Sequence, residues 1–225
     1  MEDATQVNLP PLPKRLLRVF FSPGELFEAL RENPVWFWTL LVVGLLVGLS
    51  LVLIPVVLWI EFSRSQMIEQ GRPVPPGFEN FGKVMQIASV GGGVIMTFVM
   101  TFLLSAVVTF YFAFLLGDEG RYAQYLSVVA HASIISAVGG IALVPLRIAQ
   151  GDPSANLSLG TFAFFLSDGY LFRVLRMLDL VALWSYVVMA IGVSKMSDRR
   201  SVGSAVGFFL VFAGVFALLF GLIPQ

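Results

Sequence analysis

The chain has no cysteine and a single histidine, His131. The lack of cysteine excludes disulfide bonds, thiolate metal sites and cysteine nucleophiles. Charge is scarce as well: charged residues are 12% of the 225 residues, against roughly 25% in an average soluble domain. That is too little polar material to cover a water-facing globule. Basic and acidic residues balance at 14 each, so no basic surface for nucleic acid is expected.

Apolar residues make up 57% of the chain and are gathered in long uncharged runs. We therefore predict an all-α fold, a polytopic integral membrane bundle of five transmembrane helices with a short N-terminal amphipathic helix. Residues 1–34 form the predicted N-terminal segment, and residues 35–223 form one transmembrane domain. The spans are expected at about 35–60, 94–116, 122–146, 171–193 and 202–223.

Some of these boundaries depend on how glycine and charge are interpreted. Residues 84–116 carry no charge and would make a helix of about 50 Å, longer than a bilayer needs. The triplet Gly91-Gly92-Gly93 is expected to break this run, which leaves residues 84–93 interfacial or kinked. The fourth span has a short uncharged run and must recruit residues 171–179. The patch at 157–167 is too short to span and is expected to be re-entrant or interfacial.

The basic residues that flank the spans predict the orientation of the chain in the membrane. With the N-terminus inside, the inner segments hold Lys14, Arg15, Arg18, Arg31, Arg121, Lys195, Arg199 and Arg200. The outer segments then hold Arg64, Arg72, Lys83, Arg147, Arg173 and Arg176. The larger inner group favours a protein of the cell (inner) membrane with a cytoplasmic N-terminus and an outer C-terminus.

A short helix is predicted ahead of the first span. Ser22-Pro23-Gly24-Glu25 has capping-box spacing with proline at the first helical position, and Asn33-Pro34 is a stop signal. Its apolar residues recur at helical spacing, and basic residues precede it, which suits an anionic membrane surface. Two interpretations stay open: the helix docks the N-terminus on the membrane, or it binds a protein partner.

Two rows of small residues are candidates for helix packing. They are Thr97, Thr101, Ser105 and Thr109 on the second span, and Gly203, Gly207, Gly214 and Gly221 on the fifth. Small side chains let helices approach closely in lipid, and hydroxyls can bond across the contact. The glycine face of the fifth span can pack within the chain or against a second copy, as a homo-oligomer. The alternative for the hydroxyl row is a permeation path.

His131, Arg176 and Asp179 are the candidate polar residues inside the membrane. His131 and Asp179 are each about nine residues into spans that enter from opposite sides, so both are expected near mid-membrane and within reach of each other. A carboxylate at that depth needs a partner, which His131, Arg176 or a hydroxyl would supply. Such a pair can fix two helices, or relay protons.

No complete catalytic, cofactor or metal constellation can be assembled from these residues. A metal site needs three or more ligands, and a hydrolase needs an activated nucleophile with oxyanion donors. We therefore predict no catalytic residues, no cofactor and no metal. The expected partners are membrane lipids, with a protein bound at the N-terminal helix as a further prospect.

Several sequence patterns resemble the Yip family, membrane proteins named for interaction with Ypt/Rab GTPases. They are Phe21-Ser22-Pro23-Gly24-Glu25-Leu26-Phe27, the glycine-bounded turn before Tyr125-Leu126-Ser127-Val128-Val129-Ala130, and Leu178-Asp179 to Trp184 leading into Ala190-Ile191-Gly192. Their order resembles a bacterial-type member over about residues 15–223. Asp179 and Trp184 match the family pattern, whereas His131 stands where an aromatic or small residue is expected.

The resemblance implies five spans, a cytoplasmic N-terminus and no catalysis. In eukaryotic relatives it implies a part in vesicle traffic and membrane shaping through partner proteins. The leading hypothesis is therefore a non-enzymatic membrane protein of the Yip type that acts by helix packing and by partner or lipid contacts, in membrane organisation or trafficking-like processes. The alternative is a small transporter or channel subunit that uses Asp179 and His131.

Overall fold

The computed structural model describes residues 9–163, 165–166 and 169–222, and every regular segment in these ranges is helical. This confirms the all-α class. The α-helices are α1 Leu12–Phe21, α2 Pro23–Glu32, α3 Phe37–Val52, α4 Val56–Glu69, α5 Gly82–Thr109, α6 Tyr122–Ala142, α7 Val144–Gln150, α8 Tyr170–Met177, α9 Leu180–Lys195 and α10 Val202–Phe220. The predicted end of the fifth span, Ile223, and residues 1–8 lie outside the described residues.

The long helices run between two ends of one bundle. We call the end that carries α1, α2, residues 116–121 and residues 196–201 the N-terminal end, and the other the distal end. Contacts between Gly48 and Val94 and between Ser136 and Ser185 set α5 against α3 and α9 against α6 in antiparallel pairs. The core fills the space between these helices, and α6 contributes more residues to it than any other helix.

Three segments are long and apolar enough to cross a membrane, namely Phe78–Leu115, Tyr122–Ala142 and Val202–Phe220. The helices α3 and α4 pass the same test only as a pair bent by 80°, and α9 is a shorter apolar helix. A membrane bundle is thus confirmed, whereas the count of five spans stays a prediction. The bend follows Pro55, as expected from its missing amide hydrogen. Beyond it, α4 extends to Glu69, past the predicted end of the first span at residue 60.

The predicted break at the glycine triplet is wrong. Helix α5 runs without interruption from Gly82 to Thr109, and a π-helical segment, Phe110–Leu115, continues it. In an apolar surrounding, the hydrogen bonds of a helix have no water to replace them, so glycine does not end the helix there. Gly93 has a packing role, since a Cβ atom on it would lie 2.6 Å from Leu51 of α3.

The predicted fourth span, 171–193, is also wrong as a single helix. It is divided into α8 and α9 at Leu178 and Asp179, where the backbone is extended. The amide of Leu180 donates to the carbonyl of Leu157 at 2.8 Å, and the amide of Leu159 donates to that of Leu178 at 3.0 Å. The break is therefore tied to a neighbouring segment, as an isolated bridge between Ser158 and Asp179.

Two further boundaries differ from the prediction. The third span, predicted to reach residue 146, ends at Ala142, and the short helix α7 follows it. The patch predicted at 157–167 is only partly among the described residues. Its described part includes a 3-10 turn, Leu159–Phe162, which packs on α8.

We predict that Gly192 of α9 tolerates no side chain, because a Cβ atom there would lie 2.5 Å from Cγ1 of Val128 and 3.1 Å from Phe27. Gly192→Ala should lower the free energy of unfolding by about 1–3 kcal/mol, as overpacking of a core does. The measurement is the melting temperature in detergent, followed by tryptophan fluorescence.

The matched control is Gly207→Ala on α10, where a Cβ atom meets nothing within 4 Å. Alanine is favoured over glycine in a helix interior by about 1 kcal/mol, so this variant should melt no lower than the parent protein. Equal melting temperatures for the two variants would contradict the close contact at Gly192.

Candidate functional site

The N-terminal helices are part of the bundle core. Val19 of α1 and Leu26, Phe27 and Leu30 of α2 are fully buried, packed with residues of α6 and α9. Burial of each such side chain contributes about 1.5–3 kcal/mol. The predicted helix after Ser22 is confirmed as α2, but its apolar side is covered by the protein itself.

The turn between α1 and α2 is formed by Ser22 and Pro23. The amide of Ser22 donates to the carbonyl of Arg18 at 2.9 Å and so closes α1. The Ser22 side chain makes no capping hydrogen bond to α2, in contrast to the predicted capping box. Ser22 therefore both ends α1 and begins α2. Pro23 is the first residue of α2, a position whose amide hydrogen has no partner in the helix.

Ion pairs join α2 to the connection between α9 and α10. Arg31 donates two hydrogen bonds to Asp198, at 2.6 and 3.2 Å, and Lys195 pairs with Glu28. The Arg31 guanidinium holds the pKa of Asp198 below its ordinary value, mainly through these hydrogen bonds. Since Asp198 is exposed, this pair is screened by water and contributes little to stability.

A more buried pair closes the same end. Asp118 follows the π-helical segment, and its side chain is 1% exposed; Arg200, just before α10, donates to it at 2.7 and 3.0 Å. The guanidinium of Arg200 also lies 5.6 Å from the ring centre of Phe112. The Asp118 hydrogen bond raises the pKa of Arg200. Two connections far apart in sequence are thereby fixed to each other.

His131 is fully buried and has two partners. Its Nδ1 lies 2.8 Å from the carbonyl oxygen of Ser127, and its Nε2 lies 3.0 Å from the hydroxyl of Thr39. Because a carbonyl only accepts, Nδ1 must carry a proton, and in the neutral ring Nε2 accepts from the Thr39 hydroxyl. His131 therefore joins α6 to α3 through its two ring nitrogens.

Asp179 and His131 do not lie at one depth, contrary to the prediction. Asp179 caps α9, where its carboxylate accepts from the amide of Ala182 at 2.7 Å. The α6–α9 contact at Gly139 and Val181 sets the start of α9 beside the far part of α6. Asp179 thus lies about ten residues, or roughly 15 Å, beyond His131 along α6. The prediction failed because the fourth span is broken.

Arg176 lies on α8 near the distal end and is exposed. It borders an open polar cleft of about 1010 Å³ between α4 and the turn after α7, with Glu61, Glu69 and Asp152 on its walls. It belongs to neither the His131 nor the Asp179 hydrogen-bond set, so the structure does not assemble the three predicted residues into one site. Nowhere among the described residues do three His, Asp or Glu side chains meet as metal ligands.

The hydroxyl row of α5 is bonded to its own helix. Each of its members donates to the carbonyl four residues earlier, at 2.6–2.8 Å: Thr97, Thr101, Ser105 and Thr109. Thr101 and Ser105 are buried, which agrees with a packing role. Thr97 and Thr101 also border a narrow groove of about 220 Å³ that is shared by α3, α5 and α6 and lined mainly by apolar side chains.

Three of the four glycines in the predicted packing row of α10 have no close neighbour inside the chain. A Cβ atom would meet nothing within 4 Å at Gly203, Gly207 or Gly214. Gly221 differs, because Val174 of α8 lies 2.7 Å from such an atom. The helix instead buries Ala205, Phe209, Ala213 and Ala217. Contact of the glycine row with a second copy stays a prediction.

Some features of the N-terminal end were missed from the sequence. Helix α1 was not predicted, although Leu12, Leu16, Val19 and Phe20 recur at helical spacing after Pro11. Asp118 lies in the glycine-bounded turn before Tyr125 and was given no role, and Arg200 was treated only as a flanking charge. Their positions next to helix ends were visible, but their pairing across 82 residues was not.

Comparisons with known proteins match nearly the whole chain. The family model of the Yip1 domain matches residues 17–223. The chain is also similar to a membrane protein of Bacillus subtilis (strain 168), YknW, with 26% identity over 214 residues that cover 92% of this chain and 90% of that protein. No solved structure matches significantly.

We predict that Asp118→Ala destabilises the protein by about 2 kcal/mol, because hydrogen bonds to charged groups contribute about 1.5–3 kcal/mol. The exposed pair provides the control: Asp198→Ala should change the free energy of unfolding by less than about 1 kcal/mol. Denaturant unfolding of both variants measures the difference. Similar losses for both would contradict the special position of the Asp118–Arg200 pair.

Asp179 should act mainly through its cap, although Arg147 also interacts electrostatically with its carboxylate. Asparagine caps helices as well as aspartate does, so Asp179→Asn should keep the parent melting temperature, whereas Asp179→Ala should cost about 1 kcal/mol. Thermal unfolding of the two purified variants tests this. If asparagine were as damaging as alanine, an ionic partner of Asp179 would be required.

Proposed function

The chain belongs to the Yip1 domain family, and from this membership and its packed N-terminal end we propose that it organises membrane components without catalysing a reaction, through contacts with lipids and a partner protein. The match confirms the resemblance found in the sequence. The observation that carries the proposal is the arrangement of α1 and α2, whose apolar sides are buried in the bundle while two other faces remain outward.

The outward faces of the two helices differ in chemistry. On α1, Leu17 and Phe21 are 60% and 84% exposed and stand beside Lys14. An apolar row edged by a basic side chain suits the headgroup region of a membrane, where lysine extends towards water. On α2, Glu25 and Glu32 are exposed and enter none of the ion pairs among the described residues. This acidic face suits a partner in water.

The distribution of basic residues supports a cytoplasmic N-terminal end. Helices α1 and α2, the two connections at that end and Lys195, the last residue of α9, contain the basic group predicted to lie inside. The smaller basic group, which includes Arg64 and Arg176, lies at the distal end. The rule that inner loops are richer in basic residues then favours an orientation with the N-terminus inside.

Transport through His131 and Asp179 is the weaker alternative. These residues are separated along α6, and His131 is closed off by Thr39 and Ser127. The hydroxyls of α5 are bonded to their own helix and do not line a polar path. The geometry therefore supports organisation of the membrane over passage of a solute.

The chain has no cysteine, so single-cysteine variants test both orientation and partner contact. Glu32→Cys on α2 is compared with Glu69→Cys at the distal end. In intact cells, a membrane-impermeant maleimide should label position 69 but not position 32. A photoreactive benzophenone maleimide, applied to opened membranes and then illuminated, should give a defined adduct from position 32 alone.

Labelling of position 32 in intact cells would overturn the proposed orientation. Adducts of the same pattern from both positions, or none from position 32, would overturn the proposed partner face. Asp198→Ala, combined with Glu32→Cys, checks whether the exposed ion pair must hold α2 in place for the contact.

A further inference from the structure

Arg15 differs from the other basic residues of α1. Lys14 is exposed and Arg18 is half-buried, whereas Arg15 is only 7% exposed. It lies on the inner side of the helix with Val19, one turn away. A guanidinium placed in the interior instead of in water needs a compensating anion or a full set of hydrogen bonds.

No such compensation is found among the described residues. Nε and Nη1 of Arg15 are closed to solvent and have no hydrogen-bond acceptor, and none of the ion pairs there includes this residue. Burial accordingly lowers its pKa. Arg31 and Arg200 at the same end are each bonded to an aspartate. Among the described residues, these two arginines each have an anion, and Arg15 has none.

Arg15 borders a recess of about 250 Å³ at the start of α3. The other walls come from residues 34–39, with Trp36, Phe37 and Trp38 among them and Thr39 next to His131. Trp36 is the N-cap of α3, and its side chain makes no capping bond. The first amides of a helix have no acceptor inside it, and they favour a negative charge. Arg15 and the first turn of α3 thus border one small space.

We infer that Arg15 and the first turn of α3 bind the phosphate group of an anionic phospholipid. The guanidinium fork fits two phosphate oxygens, and helix amides are suited to a third. The recess is smaller than a usual cofactor pocket and suits a headgroup. Phe37 and Trp38 beside it are 52% and 63% exposed at the point where the apolar run of α3 begins, and such rings are typical of the membrane interface.

The inference rests on the proposed function in one respect, namely that the N-terminal end lies at a membrane surface. A free phosphate ion has the same oxygen atoms, so the two sources must be separated by experiment. A lipid is favoured because exposed Leu17 and Phe21 of α1 adjoin Lys14 and are suited to contact acyl chains and headgroups.

The test uses delipidated full-length protein in a neutral detergent. Its melting temperature and its lipid stoichiometry by native mass spectrometry are measured with dioctanoyl phosphatidylglycerol, dioctanoyl phosphatidylcholine or inorganic phosphate. Phosphatidylglycerol at about 100 times its dissociation constant should raise the melting temperature by about 5 °C. The other two additions should raise it by less than about 1 °C.

Arg15→Met removes the buried charge, and Arg18→Gln is the matched control on the same helix. Arg15→Met should melt higher than the parent protein without lipid, because an uncompensated cation has been removed, and should bind phosphatidylglycerol about tenfold more weakly or worse. Arg15→Lys keeps the charge without the fork and should bind with intermediate strength. Arg18→Gln should bind as the parent does.

Three results would overturn the inference. One is an equal response of the parent and Arg15→Met to phosphatidylglycerol. Another is an equal response of the parent to inorganic phosphate, which would identify a soluble anion as the ligand. The third is no response to phosphatidylglycerol at all. Each is measured on purified protein, whereas the partner contact of α2 is tested in membranes. The lipid inference can therefore fail while the partner contact is supported, and the partner contact can fail while the lipid inference is supported.

Discussion

The bundle depends on a central helix, α6, that is packed on every side. Each residue from Gln124 to Ala132 is buried, so the helix has no face left for lipid in this part. Polar side chains on such a helix must find partners inside the protein. Ser127 donates to the carbonyl of Val35, and Gln124 to that of Arg31. These bonds set the register of α6 against the segment that leads into α3.

The surrounding helices show the opposite distribution. On α5 and α10, large apolar residues such as Ile95, Leu103 and Val211 are more than half exposed. In water this surface would be unfavourable, but lipid tails are as apolar as the side chains that meet them. The chain therefore places its polar groups at the centre and at the ends, and its apolar groups on the outside. Because lipid covers the apolar surface, the protein needs few charged residues to cover the rest.

Local signals in the sequence predicted a large part of this fold. The long apolar runs indicated α6 and α10, and the stop at Asn33-Pro34 indicated where α2 ends. Glycine and aspartate were harder to interpret, because their effect depends on surroundings. Gly93 lies inside a helix since α3 packs closely on it, and Asp179 begins a helix since its side chain caps the first turn.

The candidate site could be predicted much less well than the helices. The partners of His131 and Arg200 are Thr39 and Asp118, which are distant in sequence. A depth estimate for His131 and Asp179 assumed one straight helix from residue 171, and a break of two residues invalidated it. Distances between segments depend on such breaks, on crossing angles and on close contacts like Gly192 with Val128. None of these is a periodic property of the sequence.

Arg15 and Arg200 show how one fold treats two cations differently. Asp118 neutralises Arg200 and so makes the connections at that end rigid, whatever surrounds the protein. Arg15 is buried on the inner side of α1 and has no anion as a partner among the described residues. A buried charge without a partner in this part of the chain lowers the stability of α1 against the bundle until an outside anion binds. The position of α1 is therefore linked to the charge of its surroundings, whereas α2 is held by its buried side chains Leu26, Phe27 and Leu30.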